Sequence, residues 1–126
     1  AIEASIKFTG HISAEKYQYY KAADVFVLPS KSSEAFPNVL LEASASELPS
    51  VVSDLQCVKA IVHEGYNGLL ARIGDEIDFA RKIVYLLQNE EVRREMGMNA
   101  RKNCEAFSWD AVATETERLY LSLLHR

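Results

Sequence analysis

Glu34 and Glu42 stand eight positions apart, one on each side of a Pro-Asn pair that opens a helical pattern. A carboxylate accepts hydrogen bonds from hydroxyls and amides, so two of them can bracket a polyhydroxylated ligand. The amides between them complete the chemistry. The first N–H groups of a helix lack internal partners and carry the positive end of its dipole, which suits a phosphate. Pro37 fits the first turn, where its missing N–H costs nothing, and Asn38, Val39 and Leu40 are then expected to offer free amides. Five positions separate Pro37 from Glu42, a rise of roughly 7–8 Å, about the reach from a diphosphate to a ribose. The stretch is expected to hold a nucleotide diphosphate, with one carboxylate at each end of the ligand. The plainer reading is a loop acid at Glu34 and a solvated helix acid at Glu42, since a single short motif is weakly specific.

The stretch SKSSEAFPNVLLEASASEL, Ser30 to Leu48, needs a strand before it and a helix within it. Val25–Leu28 is apolar throughout, as a strand covered on both faces of a parallel sheet would be. The helix is expected over about Pro37 to Ser46. Upstream, Ala1 to Gly10 reads as a strand centred on Ile6–Phe8, and Ser13 as the cap of a helix from Ala14 to about Ala23. Tyr17, Tyr19 and Tyr20 read as core with a wet rim. Downstream, Ser50–Ser53 and Gly68–Ala71 read as strands, with a loop at Asp54–Val58 and a short helix to about His63. Three helices should follow. Asp75 caps the first, whose apolar face is Ile77, Ala80, Ile83, Val84 and Leu87. Asn89 caps the second, with a break near Gly97. Ser108 caps the third, whose stripe of Trp109, Val112, Thr116, Leu119, Tyr120 and Leu123 reads as a packing face. Strands alternating with helices predict an α/β fold, a Rossmann-like parallel sheet flanked by helices. In such sheets ligands bind beyond the carboxyl ends of the strands, where the loop at 29–36 must lie.

The totals narrow the function classes. The chain has 126 residues, 48% of them hydrophobic, and a formal charge of −4 with acids and bases interspersed. No basic block points to nucleic acid or to an anionic membrane surface. No apolar run approaches the ~20 residues of a membrane span, and no signal peptide is read at the start. Cys57 and Cys104 stand alone, which suggests free buried thiols in a reducing compartment rather than a disulfide or a zinc site. The three histidines form no cluster, so no metal is expected.

Several motifs occur in order: Phe8-Thr-Gly10, Ala23-Asp-Val-Phe-Val-Leu-Pro-Ser30, Glu34-Ala-Phe-Pro-Asn-Val-Leu-Leu-Glu42-Ala43, Leu48-Pro49, Val51-Val-Ser53, Gly65-Tyr-Asn-Gly-Leu-Leu70 and Phe107-Ser-Trp109. Together they resemble the C-terminal, nucleotide-sugar-binding domain of family 4 glycosyltransferases (group 1), enzymes of the GT-B architecture. The resemblance covers most of the chain. It implies a retaining transferase that moves a sugar from a nucleotide-diphosphate sugar to an acceptor. Glu34 would be the catalytic-site acid facing the donor sugar, and Glu42 would accept hydrogen bonds from the ribose. Phe36, Asn38 and Val39, together with Ser30, would line the donor site. It implies no cofactor and no metal, because cationic side chains and helix dipoles hold the leaving diphosphate.

The chain departs from the family pattern at Ala35 and Pro37, where Gly is common, and at Glu47, where Gly usually precedes Leu-Pro. A Gly-rich loop is replaced by Gln56-Cys-Val-Lys-Ala60. The family domain also carries two earlier strands with an Arg and a Lys for the diphosphate. Residues 1–126 are therefore expected to be a fragment of that domain, inactive alone and at most a weak nucleotide binder, within an enzyme whose other domain binds an acceptor glycan or lipid-linked glycan. The expected location is cytoplasmic, peripheral at the membrane in the parent. The missing strands would leave Val25–Leu28 with an open edge. Self-association through that edge, or Ile6–Phe8 moving in beside it, is predicted. Two other functions compete: a non-catalytic binding module of the same fold, and a sugar-nucleotide epimerase-like protein.

Overall fold

Three parallel strands, β1 (Phe26–Leu28), β2 (Ser50–Ser53) and β3 (Gly68–Ala71), lie side by side in that order in a computed structural model describing residues 2–33 and 35–125. Val27 faces Val51, and Val51 faces Leu69 across the ladder. The described residues also form five helices, α1 (Lys16–Ala22), α2 (Asn38–Ala45), α3 (Glu76–Gln88), α4 (Glu90–Cys104) and α5 (Trp109–Leu124), of which α2, α3 and α4 pack on the sheet. The predicted strands at 50–53 and 68–71 and the parallel α/β order stand.

Successive residues of a strand point to opposite faces, and β2 uses this to build two cores. Val51 packs with Leu69, Ala71, Phe79, Leu86 and Met96. Val52 packs with Leu40, Val58, Ile61 and Val62 on the other side. All four residues of β2 are buried. β1 has the apolar sequence of a covered strand but is an edge. Val27 is 36% exposed, and among the described strands β1 pairs only with β2.

The strand expected at Ile6–Phe8 does not form. Ile2–Ser5 make a 3-10 turn, residues 6–12 have no regular structure, and Phe8 is almost wholly exposed. Its pattern is strand-like, but a strand exists only through the neighbour that completes its ladder. The segment does not reach the open edge of β1, so that predicted rearrangement is not seen.

Other local expectations shift for identifiable reasons. Ser13 supplies only its carbonyl, to the Lys16 amide at 3.4 Å, and α1 starts without a side-chain cap. The short helix expected to end near His63 is one 3-10 turn at Gln56–Val58. Asp75 caps α3 by accepting from Asp78 N at 2.9 Å, and Ser108 caps α5 through Ala111 N at 3.2 Å. Asn89 flanks α4 but does not cap it, because its side chain donates backward to the Tyr85 carbonyl at 2.7 Å. α3 buries Phe79 and Leu86, with Ile83 packed beside them, while Ile77, Val84 and Leu87 face outward. Both stripes satisfy helical spacing, and the angle at which α3 meets the sheet selects one. α4 runs unbroken through Gly97. The apolar stripe of α5 has no buried residue, and Trp109 is 87% exposed. Periodicity shows which face a helix would bury, but not that the described chain supplies a partner for it. Cys57 and Cys104 are free but half-buried rather than buried, and loss of hydration pushes the Cys104 thiol up.

Candidate donor-binding site

Because all three strands are parallel, their carboxyl ends lie along one edge. Leu28 leads from that edge into the loop that ends at Pro37, and Ser53 leads into the Asp54 loop. The carboxyl edge of β1 therefore feeds directly into the start of α2, as the sequence predicted. Glu34 lies outside the described residues. Ser30, at the head of the loop, is half-buried.

The helix mouth is narrower in donors than expected. Pro37 precedes α2 with φ −82° and ψ 82°, the geometry of an inverse γ-turn. That turn directs the Asn38 amide back to the Phe36 carbonyl at 3.0 Å, and the Leu40 amide bonds the Pro37 carbonyl at 2.9 Å. Of the three amides predicted to be free, only that of Val39 has no acceptor among the described residues. Val39 itself is 40% exposed.

Glu42 lies in the second turn of α2 and turns toward α1. Lys16 Nζ donates to its Oε1 at 2.8 Å and Tyr20 OH to its Oε2 at 3.0 Å. Lys16 and Tyr20 are four apart on α1, so they share one face of that helix. The Tyr20 ring is fixed edge-on against Phe26 of β1, with centroids 6.1 Å apart, and against Tyr17 at 6.3 Å. Burial, followed by the hydrogen bond and charge of Glu42, pushes the Tyr20 phenol up to about 12. The hydrogen bond to Glu42 likewise raises the Lys16 ammonium. Glu42 is thus neither solvated nor buried: its side chain is 25% exposed. Sequence reasoning missed Lys16 and left Tyr20 in an aromatic cluster. Their four-residue spacing puts both on one face of α1, but nothing in the sequence ties that face to Glu42.

Phe36 faces elsewhere. Its ring lies 5.9 Å from Phe107, tilted by 42°, and with Asn38, Leu41, Trp109 and Val112 it lines a cleft of about 270 Å³. The described site residues therefore lie on one loop–helix unit, but Glu42 faces α1 while Phe36 and Asn38 face the 107–112 segment.

The fold is that of the Rossmann-like C-terminal domain of GT-B glycosyltransferases. The chain belongs to the glycosyl transferases group 1 family, whose family model matches residues 1–103. It is 32% identical over 116 residues to the phosphatidyl-myo-inositol mannosyltransferase of Mycobacterium leprae, covering 91% of this chain and 31% of that protein. It superposes on sucrose-phosphate synthase from Thermosynechococcus elongatus with a TM-score of 0.84 at 33% identity, covering 94% of this chain and 30% of the other. The Anabaena protein HepE, solved in complex with UDP, shares the fold with a TM-score of 0.84 at 24% identity, covering 99% of this chain and 34% of the other. The chain thus spans about a third of these proteins. Among the described residues no helix is long and apolar enough to cross a membrane.

Proposed function

We propose that this chain is the donor-binding part of a retaining glycosyltransferase and receives a nucleotide-diphosphate sugar at the mouth of α2. The observation that carries this reading is the placement of the Val39 amide and the Glu42 carboxylate along one helix that starts at the carboxyl edge of the sheet. An exposed amide at the positive end of a helix suits a phosphate oxygen. A carboxylate one turn further on suits the ribose hydroxyls. Membership of a glycosyltransferase family supports the chemistry, and a relative in fold that holds UDP supports the ligand class. In this reading Glu34 faces the donor sugar, and Ser30, Phe36 and Asn38 shape the loop around it.

The acceptor, a glycan or lipid-linked glycan in polysaccharide assembly, would dock on a separate domain of the whole enzyme. That enzyme would work in the cytoplasm, peripheral at the membrane. The open edge of β1 gives the chain by itself a route to self-association. Titrating UDP and GDP into the chain while following amide chemical shifts tests the site. Shifts centred on Val39 to Glu42, lost in Glu42→Ala, are expected. Shifts confined to the opposite edge of the sheet, or a response untouched by Glu42→Ala, would refute it.

A further inference from the structure

Glu42 accepts one hydrogen bond on each carboxylate oxygen, and both come from α1. A carboxylate has about four acceptor positions, two on each oxygen. Lys16 and Tyr20 occupy one apiece and, among the described residues, leave one open on Oε1 and one on Oε2. Two open acceptors on neighbouring oxygens match a vicinal diol, in which each hydroxyl can donate to a different oxygen. A glutamate side chain on a helix is ordinarily mobile about three torsions. Here two donors on one face of α1 hold the carboxylate, one at each oxygen. The fixing is anchored in turn: the Tyr20 ring is wedged between Phe26 and Tyr17, and the Lys16 ammonium lies over the Tyr17 ring, 5.4 Å from its centroid.

We propose that Lys16 and Tyr20 are positioning residues that hold the Glu42 carboxylate with one open acceptor on each oxygen, so that it selects a ligand bearing a vicinal cis-diol. This rests on the reading of Glu42 as the ribose-facing residue of the donor site. Positioning differs from simple stapling of α1 to α2. Stapling would stabilise the fold without altering which ligand is preferred. Positioning makes the preference for a diol depend on donors that never touch the ligand.

The test compares UDP with its analogue whose ribose lacks both secondary hydroxyls, each titrated into the chain and followed by amide shifts. The quantity read is the ratio of the two dissociation constants. The unmodified chain should prefer UDP, and Glu42→Ala should bring the ratio close to one. Tyr20→Phe keeps the ring packing and removes only the donor. It should lower the ratio about 3- to 10-fold, the scale of one orienting hydrogen bond, with binding of the diol-free analogue unchanged. Lys16→Met should act in the same direction, and Lys16→Arg should restore the preference. Thermal unfolding of each variant separates loss of fold from loss of positioning. If Tyr20→Phe and Lys16→Met lower the melting temperature but leave the ratio intact, the two residues are staples and the proposal fails, while the Glu42 reading survives. If the unmodified chain does not distinguish the two ligands, or Glu42→Ala leaves the ratio unchanged, the donor-site reading fails and the proposal falls with it.

Discussion

A Cβ placed on Gly97 would lie 2.1 Å from the carbonyl oxygen of Glu47 and 3.1 Å from its carbonyl carbon. α4 therefore passes directly against the last turn of α2, the helix that carries the candidate site. The obstacle is backbone, which cannot rotate away as a side chain could. Gly97→Ala should destabilise the fold by about 1–3 kcal/mol through overpacking, even though alanine is favoured in helices by up to ~1 kcal/mol. Urea unfolding measures the difference. A midpoint equal to that of the unmodified chain would mean that the two helices do not touch here.

Glu47 has φ 59° and is the only non-glycine residue with positive φ among those described. It ends α2 in a left-handed cap: the Leu48 amide reaches back to the Ala43 carbonyl at 3.1 Å and the Glu47 amide to that of Ser44 at 3.0 Å. A side chain in that conformation costs roughly 1–2 kcal/mol, part of which glycine returns through its greater freedom when unfolded. Glu47→Gly should raise stability by about 0.5–1 kcal/mol. Glu47→Ala keeps the Cβ and should bring no such gain. Equal effects of the two substitutions in urea unfolding would contradict this account.

The contact between Tyr20 and Glu42 sets an alkaline limit. The phenol donates to a carboxylate, so ionisation removes the donor and sets two negative groups together. The folded value lies above the ordinary 10.0, at about 12. Its contribution to stability is therefore complete below 10 and is lost as pH rises through the folded value. Lys16, also raised, adds a loss in the same direction above its ordinary 10.5. In an ultraviolet titration, the difference between the unmodified chain and Tyr20→Phe should report one phenol ionising near 12. Burial contributes most of that rise and the Glu42 hydrogen bond the next part, so an ionisation near 10 would show that Tyr20 is neither buried nor bonded to Glu42 in solution.

Asp78 ties the end of β3 to the start of α3. It accepts from the Arg72 amide at 2.8 Å and from Lys82 Nζ at 2.8 and 2.9 Å. The Lys82 hydrogen bond, then that from the Arg72 backbone, holds its carboxyl below the ordinary 3.8. A depressed acid stabilises the fold above its unfolded value and loses that contribution as pH falls through the folded one. Asp78→Asn should therefore unfold at lower urea concentration than the unmodified chain near neutral pH. The gap should close on acidification below 3.8. A gap that is constant with pH would assign the effect to packing instead of charge.

The order of the elements was legible because it depends on short-range pattern. Strand-like runs at Val25–Leu28, Ser50–Ser53 and Gly68–Ala71 alternate with helical stretches, and parallel topology follows. So does the position of the loop before α2 at the carboxyl edge. The caps at Asp75 and Ser108 were readable too, since each bonds an amide three residues away. The sequence by itself thus determined the family, the class of fold and the helix on which Glu42 sits.

Tertiary structure decided what each of these pieces meets, because contact partners far apart in the chain leave no local trace. Nothing around Glu42 in the sequence announces Lys16, 26 positions earlier. Ile6–Phe8 has a strand's composition but pairs with no described strand, whereas the Phe79–Leu86 face of α3, rather than its competitor, found the sheet. The backbone at Pro37 folded two expected phosphate donors back onto its own carbonyls. Hydrophobic spacing specifies a face, and hydrogen-bonding capacity specifies a need. Only the packed chain settles which surface covers the one and which atom satisfies the other.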